Sequence, residues 1–189
     1  MLKTIPKLFD NTVENHGLNP AFWEKTNSVY HPTSYAEMQE QAKAFAASLK
    51  EMGIKKGDRI AILSQARKDW ITSELGIFYI GGINVPLSTK LESPDILFRL
   101  NHSGSKILLI SEIQYPKIEQ FINEIPSLER IILFDERQSY QAKEVLFENT
   151  IQRGRELLKE NTLYISWETE NVVGDDDALI SYTSGTSAD

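Results

Sequence analysis

Asp177-Ala178-Leu179-Ile180-Ser181-Tyr182-Thr183-Ser184-Gly185-Thr186-Ser187-Ala188-Asp189 is the stretch around which the chain is organised. The apolar run from Ala178 to Ile180 predicts a buried strand. The hydroxyl-rich run behind it predicts a loop around one glycine. Thr183, Ser184, Thr186 and Ser187 each offer a side-chain donor, and Gly185 lets several amide N–H groups converge on one anion. Such a loop suits phosphate. It is not a Walker A loop, because no Gly-Lys-Ser/Thr follows. A plain polar turn after a strand has the same composition, so composition alone does not separate the two.

Outward from this stretch, short aliphatic runs alternate with helical patterns. Residues 4–15 predict a helix capped by Thr4, with Pro6 tolerated in the first turn and Leu8, Phe9 and Val13 on one face. Residues 21–23 and 29–31 predict short strands around the turn Lys25-Thr26-Asn27-Ser28, with Trp23 and Tyr30 packed inside. Residues 34–52 carry the clearest helical pattern. Ser34 and Glu37 make a capping box, and Tyr35, Met38, Ala42, Phe45, Ala46 and Leu49 recur at helical spacing up to a stop at Gly53. A turn at Lys55-Lys56-Gly57-Asp58 leads into the strand Arg59-Ile60-Ala61-Ile62-Leu63. There follow a helix over 70–80, an extended run over 83–87, and a helix from Pro94 to about residue 101 with Ser93 as its cap. A strand over 106–110, a helix over 115–125 stopped by Pro126, a strand over 130–134 and a helix over 143–158 complete the alternation. Residues 161–176 predict a loop anchored by Trp167. Such alternation implies βαβ units and a parallel sheet. In these sheets ligands bind beyond the carboxyl ends of strands, and the terminal loop lies at such an end.

Composition narrows the classes. The chain has 189 residues, 41% of them hydrophobic and 25% charged, which fits an ordinary globular domain with a real core. A net charge of −7 argues against a nucleic-acid footprint, which needs clustered Lys and Arg. With no cysteine there is no disulfide scaffold, thiolate metal site or cysteine nucleophile. Pro6, Lys7 and Asp10 interrupt any signal-peptide core behind Met1-Leu2-Lys3, and no apolar run approaches the ~20 residues of a membrane span. A cytoplasmic protein is the simplest expectation, with membrane association at most peripheral.

The order of residues in Tyr182-Thr183-Ser184-Gly185-Thr186-Ser187 resembles the phosphate-binding signature of the adenylate-forming (AMP-binding) enzymes, Tyr-Thr-Ser-Gly-Thr-(Thr/Ser)-Gly-x-Pro-Lys-Gly. Ala188 departs from the usual glycine, and the Pro-Lys-Gly part does not follow within Asp189. Three earlier segments resemble the same family in the same order. They are Thr33-Ser34-Tyr35-Ala36-Glu37-Met38, Gly57-Asp58-Arg59-Ile60-Ala61-Ile62-Leu63 and Gly81-Gly82-Ile83-Asn84-Val85-Pro86-Leu87. Within the family, the chain is most similar to long-chain fatty-acid–CoA ligases at Gln65-Ala66-Arg67-Lys68-Asp69-Trp70, Leu100-Asn101-His102-Ser103 and Val145 to Leu158 with its Gly154-Arg155-Glu156. Gln65-Ala66 replaces a usual Glu-Asn.

The resemblance implies an α/β fold: a parallel sheet with helices on both faces and a short hairpin near the start. It implies that residues 1–189 are the amino-terminal part of a large AMP-binding domain, with the rest of that domain and a lid domain downstream. It implies a ligase that joins a fatty acid to AMP with release of pyrophosphate, then passes the acyl group to coenzyme A, using ATP and Mg²⁺. Phosphate contact carries over to Thr183, Ser184, Gly185, Thr186 and Ser187. No catalytic or metal-binding residue carries over, so the 189 residues alone are expected to be inert and to bind none of these ligands well. Two alternatives stay open: a ligase for an amino or aryl acid, or a non-catalytic α/β anion-binding module.

Other candidates have plainer readings beside the functional one. His16, His31 and His102 are scattered, which suits local hydrogen bonding better than a shared site. Asp175-Asp176-Asp177 suits a solvated turn, with Asp177 as a cap, or else a magnesium ligand set. Arg67-Lys68 suits a charged helix start or an anion contact. Trp23, Trp70 and Trp167 read as core residues rather than acyl-chain contacts.

Overall fold

The computed structural model describes residues 4–183. In chain order it runs α1 (Ile5–His16), β1 (Pro20–Thr26), β2 (Val29–Ser34), α2 (Tyr35–Glu51), β3 (Arg59–Leu63), α3 (Lys68–Tyr79), β4 (Ile83–Pro86), α4 (Ser93–Ser103), β5 (Ile107–Ile110), β6 (Arg130–Leu133), β7 (Glu144–Leu146), α5 (Phe147–Glu160) and α6 (Ser166–Glu170). Strands β3 to β7 form one parallel sheet in the order β4-β3-β5-β6-β7. β1 and β2 form a separate antiparallel hairpin, turned at Asn27 and Ser28, both at positive φ (51° and 64°).

The pleat divides the apolar runs between two cores. Ile60 and Ile62 of β3, Ile107 and Leu109 of β5 and Ile132 of β6 face α2, α3 and α5. Ala61, Leu63, Leu108, Ile110, Ile131 and Leu133 face α4 and the connection from β5 to β6. Because both faces are covered, the central strands read as unbroken aliphatic runs rather than alternating ones. Helices on both faces of a parallel sheet, with a hairpin near the start, agree with the expected class.

Local signals place the first layers. Thr4 Oγ1 accepts from the Lys7 amide at the start of α1. The Ser34 hydroxyl accepts from the Glu37 amide (3.2 Å), and the Glu37 carboxylate accepts from the Ser34 amide (2.8 Å), so the capping box is complete. α2 then packs between α3 and α5 through alanines, with Ala42, Ala44, Ala46 and Ala47 all buried.

Five expectations give way to tertiary context. Residues 115–125 are not an α-helix but two 3₁₀ turns, Tyr115–Lys117 and Ile122–Glu124. Ile118, Phe121, Ile122 and Ile125 still reach the core at helix-like spacing. Pro116 lacks an amide, and the β-branched isoleucines disfavour α-helix, so i→i−3 bonds suffice. The helix expected over 143–158 begins only at Phe147, because Glu144–Leu146 is drawn onto the free edge of β6 as β7. Trp23, Tyr30 and Trp167 are not packing residues; they are 55%, 61% and 69% exposed, whereas Trp70 does pack against the core. The loop over 161–176 contains α6, tied down by Lys50, whose ammonium donates to the Tyr164 carbonyl and pairs with Glu168. Glu92, not Ser93, occupies the cap position of α4.

Candidate functional site

The terminal segment approaches the sheet at the outer edge of β4. The Asn84 amide donates to the Ala178 carbonyl, and the Ile180 amide donates to the Asn84 carbonyl, both at 2.9 Å. This is a single parallel bridge between Asn84 and Leu179. The segment therefore runs in the direction of β4, as the strand-to-loop reading requires. It is not the buried strand expected from its sequence. Leu179 is 50% exposed, and Ala178 and Ile180 pack against opposite cores. Residues two apart in a pleated strand share a face, so the backbone here rolls around the sheet edge instead of joining it.

Asn84 is fully buried. Its side-chain amide donates to the Glu74 carboxylate at 2.7 Å, while its Oδ1 has no partner. Burial pushes the Glu74 carboxyl above its ordinary range, and the Asn84 bond offsets part of that. Further along, Tyr182 rests on α4. Its hydroxyl lies 2.9 Å from Nδ1 of His102 and 3.3 Å from the Arg99 carbonyl, and the Arg99 guanidinium sits 5.3 Å from the ring centroid. Thr183 follows, exposed to solvent. Ser184, Gly185, Thr186 and Ser187, the other expected phosphate contacts, lie outside the described residues.

A second concave feature lies at the carboxyl ends of the strands. The chain leaves β3 to form β4 on one side and returns to place β5 on the other, so β3 and β5 flank the point where the winding reverses. Beyond those ends, the Ser111 hydroxyl donates to Gln65 Oε1 at 2.8 Å. Beside this contact is a cavity of about 430 Å³, lined among others by Phe22, Ser64, Arg67, Trp70, Ser88 and Thr89. The Lys117 ammonium holds its rim by donating to the carbonyls of Thr89 and Leu91, each at 2.9 Å.

Arg67 and Lys68 are engaged within the chain rather than free for an anion. Arg67 pairs with Asp135 (2.8 Å) and Asp69 (3.4 Å), and Lys68 lies 3.9 Å from both Glu24 and Asp69. Burial raises the Asp69 carboxyl despite these cations. Apart from Arg67 and Trp70, the latter read as a core residue, the lining residues named here were not singled out from sequence. For Ser64, Ser88 and Thr89 the signal is positional, since they follow β3 and β4, but only the strand order reveals which strand ends adjoin, and only the tertiary structure brings Phe22 of β1 and Trp70 of α3 to them.

The remaining candidates stay apart. His16 ends α1, His31 lies in β2 and His102 in α4. Asp176 is turned to Lys56 (2.7 Å) and accepts from the Val173 amide (2.7 Å), and these bonds hold its carboxyl below the ordinary range. Among the described residues no three His, Asp or Glu side chains are grouped to hold a metal. No described helix is long and apolar enough to cross a membrane.

A parallel sheet wound both ways from β3, with helices on both faces, defines a doubly wound α/β domain. The AMP-binding enzyme family model matches residues 9–189, and the chain belongs to that family. It is 23% identical over 98% of its length to the long-chain-fatty-acid–[acyl-carrier-protein] ligase AEE15 of Arabidopsis thaliana, of which it covers 27%. It is 34% identical over 46% of its length to the long-chain-fatty-acid–CoA ligase FadD13 of Mycobacterium tuberculosis, of which it covers 17%. The chain thus spans about a quarter or less of the length of these relatives. Among solved structures, coronafacic acid ligase from Pectobacterium brasiliense superposes with a TM-score of 0.80 over 94% of this chain and 33% of that one, at 24% identity. The N-terminal domain of FACL13 from Mycobacterium tuberculosis superposes with a TM-score of 0.71 over 97% of this chain and 42% of that one, at 22% identity. Both are likenesses of fold. The relatives differ in their acids, since 4-hydroxybutyrate–CoA ligase 2 of Metallosphaera sedula and an anthranilate–CoA ligase are also similar.

Proposed function

We propose that the chain is the amino-terminal part of an AMP-forming acyl–CoA ligase for long-chain fatty acids. The observation that carries this reading is that the hydroxyl-glycine run 183–187 directly follows a segment bonded in parallel to β4, in a chain of the AMP-binding family. In the proposed reaction the fatty-acid carboxylate attacks the α-phosphorus of ATP, the bond from that phosphorus to the α,β-bridging oxygen breaks, and pyrophosphate leaves with that oxygen. The thiol of coenzyme A then attacks the acyl carbon, loses its proton and displaces AMP. The contribution of this chain is to bind and orient. Donors from Thr183, Ser184, Thr186 and Ser187 and the amide groups around Gly185 hold the departing phosphates and offset their charge. Mg²⁺, when bound, would share that charge, with ligands from outside the described residues. Long-chain specificity is supported by relatives such as AEE15 and FadD13 and weakened by the short and aromatic acids of others. We assign the protein to the cytoplasm.

In this reading the 189 residues tested alone are expected to be inert, because the signature's lysine is not among them. The deciding experiment is pyrophosphate release by the full-length protein across a panel of carboxylates. Release with long acyl chains, then thioester formation on adding coenzyme A, is expected. Release only with amino or aryl acids discards the long-chain reading. Release with none leaves the anion-binding module.

A further inference from the structure

Among the described residues, the backbone makes no further sheet bond between the Asn84 bridge and Thr183. Tyr182 is the last side chain tethered before Thr183, and its tether is α4. We propose that His102 is a positioning residue for the terminal loop: its imidazole, acting through the Tyr182 hydroxyl, sets where the run that begins at Thr183 leaves the sheet edge. The proposal rests on the reading of 183–187 as a phosphate loop.

The phenol has one proton and two neighbours. Arg99 presents a carbonyl, which can only accept, at 3.3 Å. His102 Nδ1, at 2.9 Å, can donate or accept. Both contacts are satisfied together when the hydroxyl donates to Arg99 and Nδ1–H donates to the hydroxyl. The network therefore assigns the proton to Nδ1. The ring is oriented for this from its other side, where Phe98 stacks on it at 5.4 Å with 27° between planes. Tyr182 meets the imidazole edge-on (73°) and carries the Arg99 guanidinium over its face. His102, Arg99 and Phe98 all lie on α4, whose Ile96 and Leu100 are buried in the core. The socket is thus built on a helix anchored in the core, as precise positioning requires.

The test uses the full-length protein and four variants: His102→Ala, His102→Asn, Tyr182→Phe and the double variant His102→Ala/Tyr182→Phe. KM for ATP and for the carboxylate are measured separately, together with amide hydrogen exchange over residues 180–183. His102→Ala and Tyr182→Phe are each expected to raise KM for ATP about 3- to 10-fold, the effect of one lost hydrogen bond, with KM for the carboxylate unchanged. The double variant should be no worse than either single one, since both remove the same contact. Asparagine, whose Nδ2 can stand in for Nδ1, should restore KM. Exchange at the Ile180 amide, which is bonded to the Asn84 carbonyl, should quicken about 3- to 10-fold in the alanine and phenylalanine variants, with β3 unchanged. An unchanged KM for ATP, an equal rise for both substrates, additive single effects or unchanged exchange each overturns the proposal. If His102→Ala does not fold, Tyr182→Phe, which removes one oxygen, carries the same test. If the wild type releases no pyrophosphate with any carboxylate, the phosphate-loop reading has failed, and exchange alone decides whether His102 positions the segment.

Discussion

Gly154 lies directly against the backbone of Ala44. A Cβ added at Gly154 would stand 1.7 Å from the Ala44 carbonyl oxygen and 2.4 Å from its carbonyl carbon. α5 therefore meets α2 backbone to backbone, with no room for a side chain. α3 uses a similar device at Gly76, where a Cβ would stand 2.9 Å from the Ala42 carbonyl oxygen. The alanine-rich face of α2 and these glycines together allow one helix to be covered by two.

Gly154→Ala should consequently be among the most damaging single substitutions. The contact is with backbone and cannot be relieved by a rotamer change, so helices α2 and α5 must separate. A loss of about 3 kcal/mol or more in urea unfolding is expected. Gly53→Ala, where φ is +88° but nothing lies within 4 Å, is the control. It should lose only about 1 kcal/mol from backbone strain. Equal losses at the two positions would show that close packing is not what Gly154 provides.

The capping box gives a pH dependence of known sign. Hydrogen bonds from the Ser34 amide and hydroxyl hold the Glu37 carboxyl below its ordinary range. The folded chain thus releases this proton more readily than the unfolded one, so the contribution is present above the unfolded value and lost as pH falls through the folded value. Ser34→Ala should cost about 1 kcal/mol at pH 7. The gap to wild type should narrow in acid without vanishing, because the Ser34 hydroxyl still accepts from the Glu37 amide when the carboxyl is protonated; denaturation across the pH range measures it. A gap that persists undiminished would count against the assigned partner.

Glu74 and Asn84 predict the opposite behaviour. Burial raises the Glu74 carboxyl, so its ionised form is a liability at neutral pH that disappears as pH falls through the raised value. Glu74→Gln keeps an acceptor for the Asn84 amide and adds a donor for its orphan Oδ1. The variant should be about 1 kcal/mol more stable than wild type at pH 7, with the difference vanishing in acid. Thermal unfolding at both pH values decides it, and a less stable variant at neutral pH would refute it.

Thr183→Val replaces a hydroxyl by a methyl of similar size at the start of the proposed phosphate run. In the full-length protein it should raise KM for ATP or lower kcat by about 10-fold while leaving KM for the carboxylate unchanged. Wild-type kinetics in this variant would remove Thr183 from the phosphate contacts.

Part of this molecule was settled by local chemistry. The Ser34/Glu37 box and the aliphatic runs of β3, β5 and β6 act over a few residues, and each falls where its sequence places it, while the turn expected over Lys25-Thr26-Asn27-Ser28 tightens to Asn27-Ser28 because Lys25 and Thr26 pair in β1. The order of hydroxyls after Tyr182, with three earlier matching segments, likewise sufficed to indicate the AMP-binding family. What the sequence could not settle depends on partners distant in the chain. Glu144–Leu146 becomes a strand only because β6 offers it an open edge. Residues 115–125 fill one core with 3₁₀ turns, although their spacing also fits an α-helix. Trp23, Tyr30 and Trp167 are apolar in kind but have no element opposite them among the described residues, so they face outward. The cavity at the strand ends and the seat of Tyr182 on His102 exist only once β4, β3 and β5 are ordered side by side. Periodicity records which residues share a face, but only packing decides what that face meets.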